Sequence, residues 1–192
     1  MQSKNDVLGI WTKNKINGCV GRKNPVTRKH TKESILMLDL KKIDRDITEG
    51  LKKAFDNPFY LEEALLFGVE TFNGEPPLIV PLSKNKDVYD MLYSEEVASM
   101  LTPYTKFSIV TCGWAAPIQG NEKDEIRPSE HEDKKRIRIM AYYENGKISA
   151  ALHFEGDDEV IYEEGNTSGD LKEAIFDLYV HSRILKQDVL ND

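Results

Sequence analysis

The chain has almost no cysteine. Only Cys19 and Cys112 occur in 192 residues, and neither belongs to a CxxC pair or to a Cys/His spacing that would hold zinc. Both are expected to be free, buried thiols rather than a disulfide. Long apolar runs are missing too. The longest uncharged stretch, Phe107–Asn121, is interrupted by Pro117 and falls short of the roughly 20 apolar residues that a membrane-crossing helix needs. The opening MQSKNDVLGIW has no apolar core of a signal peptide. The expectation is therefore a cytoplasmic chain without membrane contact. Phosphate-binding glycine patterns, P-loop or GxGxxG, are absent as well. The acidic turn Asp157-Asp158-Glu159, with Glu163-Glu164 after it, lacks the spacing of a calcium loop. No metal and no cofactor is expected.

Hydrophobic residues make up 40% of the chain and charged residues 31%, a balance that suits a folded core and not a disordered chain. The net charge of −7 is unevenly spread. Residues 1–32 carry eight lysines and arginines against Asp6 alone, a charge of +7, which leaves −14 on residues 33–192. Such a body repels nucleic acid, whereas the N-terminal segment attracts anions. Arg22, Lys23, Arg28 and Lys29 are the candidate nucleic-acid contacts. They lack the interleaved aromatics that single-strand binders use for stacking. The plainer reading is a solvated charge run, or contact with an acidic face of the same chain. The domain division is a basic segment over 1–32 and a single α+β domain over 33–192.

One supersecondary element can be paired residue by residue. Asn145-Gly146 separates two alternating runs, Arg136–Glu144 and Lys147–Glu155, and Asn-Gly is favoured in type I′ turns because both central residues take positive φ. That turn pairs Tyr143 with Ile148, Ala141 with Ala150, Ile139 with Leu152 and Ile137 with Phe154, which makes one apolar face. The other face pairs Tyr142 with Ser149, Met140 with Ala151, Arg138 with His153 and Arg136 with Glu155.

Elsewhere the patterns are shorter. Val7–Thr12 and Cys19–Val20 read as strands, and Gly21–Lys32 as a loop. Ser34–Phe72 reads as two helices. The first buries Leu40, Ile43, Ile47, Leu51, Ala54 and Phe55 and is weakened by Gly50 by about 1 kcal/mol. The second starts at Asn57-Pro58 and buries Leu61, Ala64, Leu65, Gly68 and Val69. Leu78–Leu82 is a strand, at an edge because of Pro81. Lys86–Leu101 is helical, with Ser94 as a fresh N-cap. Lys106–Trp114 is a buried strand and Glu159–Glu163 a short one. Thr167 and Asp170 suggest a capping box opening a C-terminal helix with the stripe Leu171, Ala174, Ile175, Leu178, Tyr179, Ser182 and Leu185. The fold class is α+β: an antiparallel sheet containing the 136–155 hairpin, with its apolar face covered by helices.

Three constellations bear on function. Gln119–Lys135 is seventeen residues with no predicted secondary structure, a length usually reserved for functional or disordered loops. Glu130, His131 and Asp133 within it have the chemistry of an acid–base or metal cluster, against the plainer reading of a solvated connection. The polar hairpin face sets Arg138 beside His153, an arrangement suited to an anionic ligand or a carboxylate partner. The competing reading pairs Arg136 with Glu155 and buries His153 under a loop. Cys112, finally, becomes a nucleophile only with a base in reach, such as His131 or His153. Free cysteines are more often structural.

The string Thr111-Cys112-Gly113-Trp114-Ala115-Ala116-Pro117, then Arg127-Pro128-Ser129-Glu130-His131, then Arg136-Ile137-Arg138, resembles a pattern in uncharacterised bacterial and phage proteins. The likeness covers roughly 50 residues and carries no established activity. It implies that Trp114, Ser129, Glu130, His131, Arg136 and Arg138 form a spatial cluster, and implies no reaction. With His153, which the hairpin pairs with Arg138, the binding candidates are Trp114, Glu130, His131, Arg136, Arg138 and His153.

The function expected from all this is a binding or regulatory protein without catalysis, whose partner is a protein or an anionic ligand. One alternative is a small hydrolase using His131 with Glu130, or Cys112. Another is an assembly component of a larger particle such as a phage virion, docked through the basic segment.

Overall fold

The computed structural model describes residues 33–70, 77–116, 128–164 and 170–191. The expected strands and loop within 1–32, the Thr167 capping box, Cys19 and most of the 119–135 loop lie outside the described residues. Helix α1 spans Glu33–Ala54. It is followed by strands β1 (Ala64–Glu70) and β2 (Leu78–Asn85), the short helices α2 (Val88–Leu92) and α3 (Glu95–Leu101), and strand β3 (Lys106–Ala115). A single 3-10 turn, Pro128–Glu130, precedes β4 (Lys135–Glu144), β5 (Lys147–Phe154), β6 (Val160–Glu163) and helix α4 (Asp170–Asn191). The strands form one antiparallel sheet in the order β2-β1-β3-β4-β5-β6. The α+β class expected from the sequence is the fold observed.

The hairpin register agrees pair for pair with the sequence reading, from Glu144↔Lys147 to Ile137↔Phe154 and including Arg138↔His153. Asn145 and Gly146 have φ of 50° and 76°, the left-handed geometry that this pair tolerates at low cost. β2 lies at the sheet edge as Pro81 suggested, with a register irregularity opposite Leu66/Phe67. Asp87 and Ser94 cap α2 and α3 through side-chain acceptors.

Three expectations fail. Ala54 and Phe55, read as the end of the first helix's buried stripe, are both exposed, because the helix stops at Ala54. The segment read as a second helix is β1. Asn57 does start a turn, its Oδ1 accepting from the Phe59 amide at 2.9 Å, but no helix follows. Ala64–Val69 is a short apolar run whose spacing fits either period, and pairing with both β2 and β3 decides it. The polar hairpin face is also not open surface. Helices cover both faces of the sheet, not one. On one side Leu171, Ile175 and Leu178 of α4 join Val97, Leu101, Phe107, Ile109 and Tyr143 in a single cluster. Tyr143 stacks on Phe107 at 5.0 Å and meets Tyr179 at 4.5 Å. Arg183 ties α4 to the end of α3 by donating to the Leu101 and Tyr104 carbonyls. On the other side Leu40, Ile43, Ile47 and Leu51 of α1 pack on Val110, Cys112, Met140, Tyr142 and Ala151. Sheet residues that alternation placed on a solvent face, Met140 and Tyr142, are both 1% exposed.

Candidate functional site

α1 carries an acid inside its apolar stripe. Asp44 is 3% exposed and faces the hairpin. Its Oδ1 lies 2.7 Å from His153 Nε2, and its Oδ2 accepts from the Tyr162 hydroxyl at 2.9 Å. Arg138, 2% exposed, donates through an η nitrogen to Thr48 Oγ1 at 2.7 Å. Burial lowers the Arg138 pKa, and the Asp44 carboxylate works against that lowering. Burial, followed by the same carboxylate, pushes Tyr162 up to about 12. Arg138 and His153 therefore do face a carboxylate, and it comes from the protein's own helix. His153 is covered by that helix rather than by a loop.

One step toward the end of the same face the environment opens. The turn after α1 brings Pro58, Phe59 and Tyr60 over the sheet. Arg136 Nε donates to the Phe59 carbonyl at 2.8 Å. Its guanidinium carbon sits 5.0 Å from the Tyr60 ring centroid and 5.1 Å from that of Trp114, its partner across β3 and β4. Lys134 Nζ stands 5.0 Å from the same Trp114 ring and donates to Ser129 O at 2.6 Å. Glu155 makes a backbone bridge to Arg136, its amide donating to the Arg136 carbonyl at 3.0 Å. Its carboxylate accepts instead from the Tyr60 hydroxyl at 3.1 Å, and this hydrogen bond raises the Tyr60 pKa. The expected Arg136–Glu155 ion pair does not form. Among the described residues the terminal nitrogens of Arg136 have no hydrogen-bond acceptor.

The six residues singled out in the sequence thus divide. Trp114 and Arg136 are in contact at a half-exposed surface. Arg138 and His153 form the adjoining row, beneath α1. Glu130 and His131 belong to the turn before β4, where His131 Nδ1 accepts from the Asp133 amide at 3.0 Å. Sequence reasoning missed Asp44, Thr48, Phe59, Tyr60, Lys134 and Tyr162. The signal for Asp44 was present, as a lone acid at helical spacing between Leu40 and Ile47.

Nucleophilic chemistry finds little support in this geometry. Cys112 Sγ faces the Pro58 carbonyl at 3.5 Å, and burial raises its pKa, which disfavours the thiolate. β4 separates it from His153, a gap of about 9–10 Å for two strand spacings. Among the described residues no three His, Cys, Asp or Glu side chains gather as a metal site would require, and no helix is long and apolar enough to cross a membrane. Comparison with protein-family models, curated proteins and solved structures returns no match to this chain.

Proposed function

We propose that this is a binding protein, acting without catalysis, which takes an anionic group of its partner on Arg136. The observation that carries the reading is the fixed guanidinium. A carbonyl and two aromatic rings hold it in place, so little side-chain entropy remains to be lost on binding. Its terminal nitrogens point to a carboxylate or phosphate as the complement. Lys134, on the other cation position of Trp114, adds a second positive charge on a body whose background is −14. Trp114 supplies apolar contact beside the charge and an optical signal.

The test is titration of tryptophan fluorescence with inorganic phosphate, a nucleotide and a glutamate-rich peptide at low salt. At least one should bind saturably. Arg136→Ala should weaken it by about 1.5–3 kcal/mol, the range of a charge-assisted hydrogen bond, and Lys134→Ala by less. Added salt should weaken binding further. Binding left unchanged by Arg136→Ala in a folded variant removes the proposal.

A further inference from the structure

A groove runs along α1, and Tyr60, the ring that Arg136 faces, lines its smaller end. Two adjoining hollows make it, one of about 530 Å³ against β1 and β2 and one of about 430 Å³ at the turn after α1. Phe55, Leu65 and Lys84 line both. The floor of the larger hollow is apolar, formed by Ile47, Leu51, Phe67 and Ile79. Phe55 is 41% exposed at the junction.

Gly50 lines the larger hollow. A glycine inside a helix weakens it, and nothing in the fold requires this one. A Cβ built there meets no atom within 4 Å, and Gly50 is not among the positive-φ glycines. What the missing side chain does is leave the hollow open.

The groove is acidic at its rim. Asp46, Asp56, Glu62 and Glu63 line it against Lys84 alone, and Lys84 is bound to Glu63 at 2.8 Å. Lys52 and Lys53 close the last turn of α1 but line neither hollow. One wall is β2, an edge strand with no strand on its outer side among the described residues. An edge of this kind accepts an extended chain, whose alternate side chains enter adjoining pockets. Pro81 and the register irregularity beside it limit such pairing to a short stretch.

We infer that this groove is a docking site for an extended segment of a partner protein, carrying one or two large apolar side chains flanked by lysine or arginine. The apolar side chains fill the hollow that Gly50 leaves open, and the flanking cations meet Asp46, Asp56 and Glu62. The inference does not rest on the anion site at Arg136, although Tyr60 borders both.

The experiment uses the full chain and two labelled peptides, acetyl-KLWLK-amide and acetyl-ELWLE-amide, with fluorescence anisotropy as readout. The basic peptide should bind about tenfold or more tighter at low salt, and the gap should narrow as salt is added. Gly50→Leu fills the hollow and should cost about tenfold in affinity while the melting temperature holds or rises. Asp56→Asn with Glu62→Gln should erase the preference for the basic peptide. Lys134→Ala, at a residue that lines neither hollow, should leave peptide binding unchanged, so that this inference and the anion site fail separately. No saturable binding of the basic peptide, equal binding of the two, or indifference to Gly50→Leu overturns the inference. Concentration-dependent self-association abolished by Gly50→Leu also overturns it, by assigning the groove to a second copy. Zero-length cross-linking of Asp56 or Glu62 to Lys4, Lys13 or Lys15 in the peptide-free chain does the same, by assigning it to the chain's own basic segment.

Discussion

Removing the Asp44 carboxylate tests whether the buried charges on the α1 face are structural. Asp44 is the acceptor for two donors, the Tyr162 hydroxyl and the His153 ring, and its charge is the foremost one favouring the buried Arg138 cation. Asp44→Ala leaves a guanidinium only 2% exposed without its compensating carboxylate, and strands two polar groups under a helix. Breaking a buried pair in this way costs about 3–5 kcal/mol. That is a large part of the roughly 5–15 kcal/mol that stabilises a domain. Asp44→Asn keeps the shape and one acceptor oxygen, so its cost should be nearer 1–3 kcal/mol, roughly that of one unsatisfied buried group. Adding Arg138→Met to Asp44→Leu removes both charges and should recover much of the loss, a coupling that the double-mutant cycle measures directly. Urea unfolding followed by circular dichroism is the assay, with an unchanged m-value showing that the same surface is exposed. Amide exchange should rise first in α1, the one described helix on this face. A loss for Asp44→Ala below about 0.5 kcal/mol, the range of surface substitutions, would refute the reasoning. It would return Arg138 and His153 to the list of ligand-binding candidates.

Further outcomes can be checked with the same assays. Leu178→Ala, at a site 1% exposed within the α4 cluster, should cost about 2–5 kcal/mol. Gly146→Val places a β-branched residue at φ 76° and should cost about 1–3 kcal/mol. Tyr162 has its folded pKa raised to about 12, so the unfolded chain loses that proton first and stability should fall as pH rises from about 10 to 12. Tyr162→Phe should flatten this fall, and an unchanged alkaline profile would count against the Tyr162–Asp44 contact.

The hairpin was legible because three local signals agree: the Asn-Gly turn, the period-2 alternation and a wholly apolar face of Ile137, Ile139, Tyr143, Ile148, Leu152 and Phe154. The stripe of α4, and that of α1 as far as Leu51, were legible for the same reason. β1 was not. Leu61, Ala64, Leu65, Gly68 and Val69 satisfy helical spacing, while the structure uses Leu65, Phe67 and Val69 on one face and Ala64 and Leu66 on the other. In a strand buried on both faces the alternation disappears. Such a run can be told from a buried helix only by its partners, and those lie distant in sequence at β2 and β3. Gly68 shows the tertiary constraint directly. A Cβ there would lie 2.5 Å from the Tyr104 ring, a contact that no local pattern announces.

The candidate site illustrates the same limit on the polar side. Arg136 and Arg138 are two residues apart on one strand face with near-identical local sequence, so alternation gives them the same environment. α1 makes them different. The helix ends at Ala54, and the turn that follows returns Phe59 and Tyr60 across the sheet just where Arg136 stands. Arg138 lies one row inward, where Asp44 and Thr48 descend on it. Burial with compensating groups turns one arginine into part of the core. Orientation at a half-open rim leaves the other with terminal nitrogens that no acceptor among the described residues fills. Both outcomes follow from the position where one helix stops, and that position is set by the Asn57-Pro58 turn. The residues that give the two arginines their different surroundings are thus found some 80 residues away in the chain.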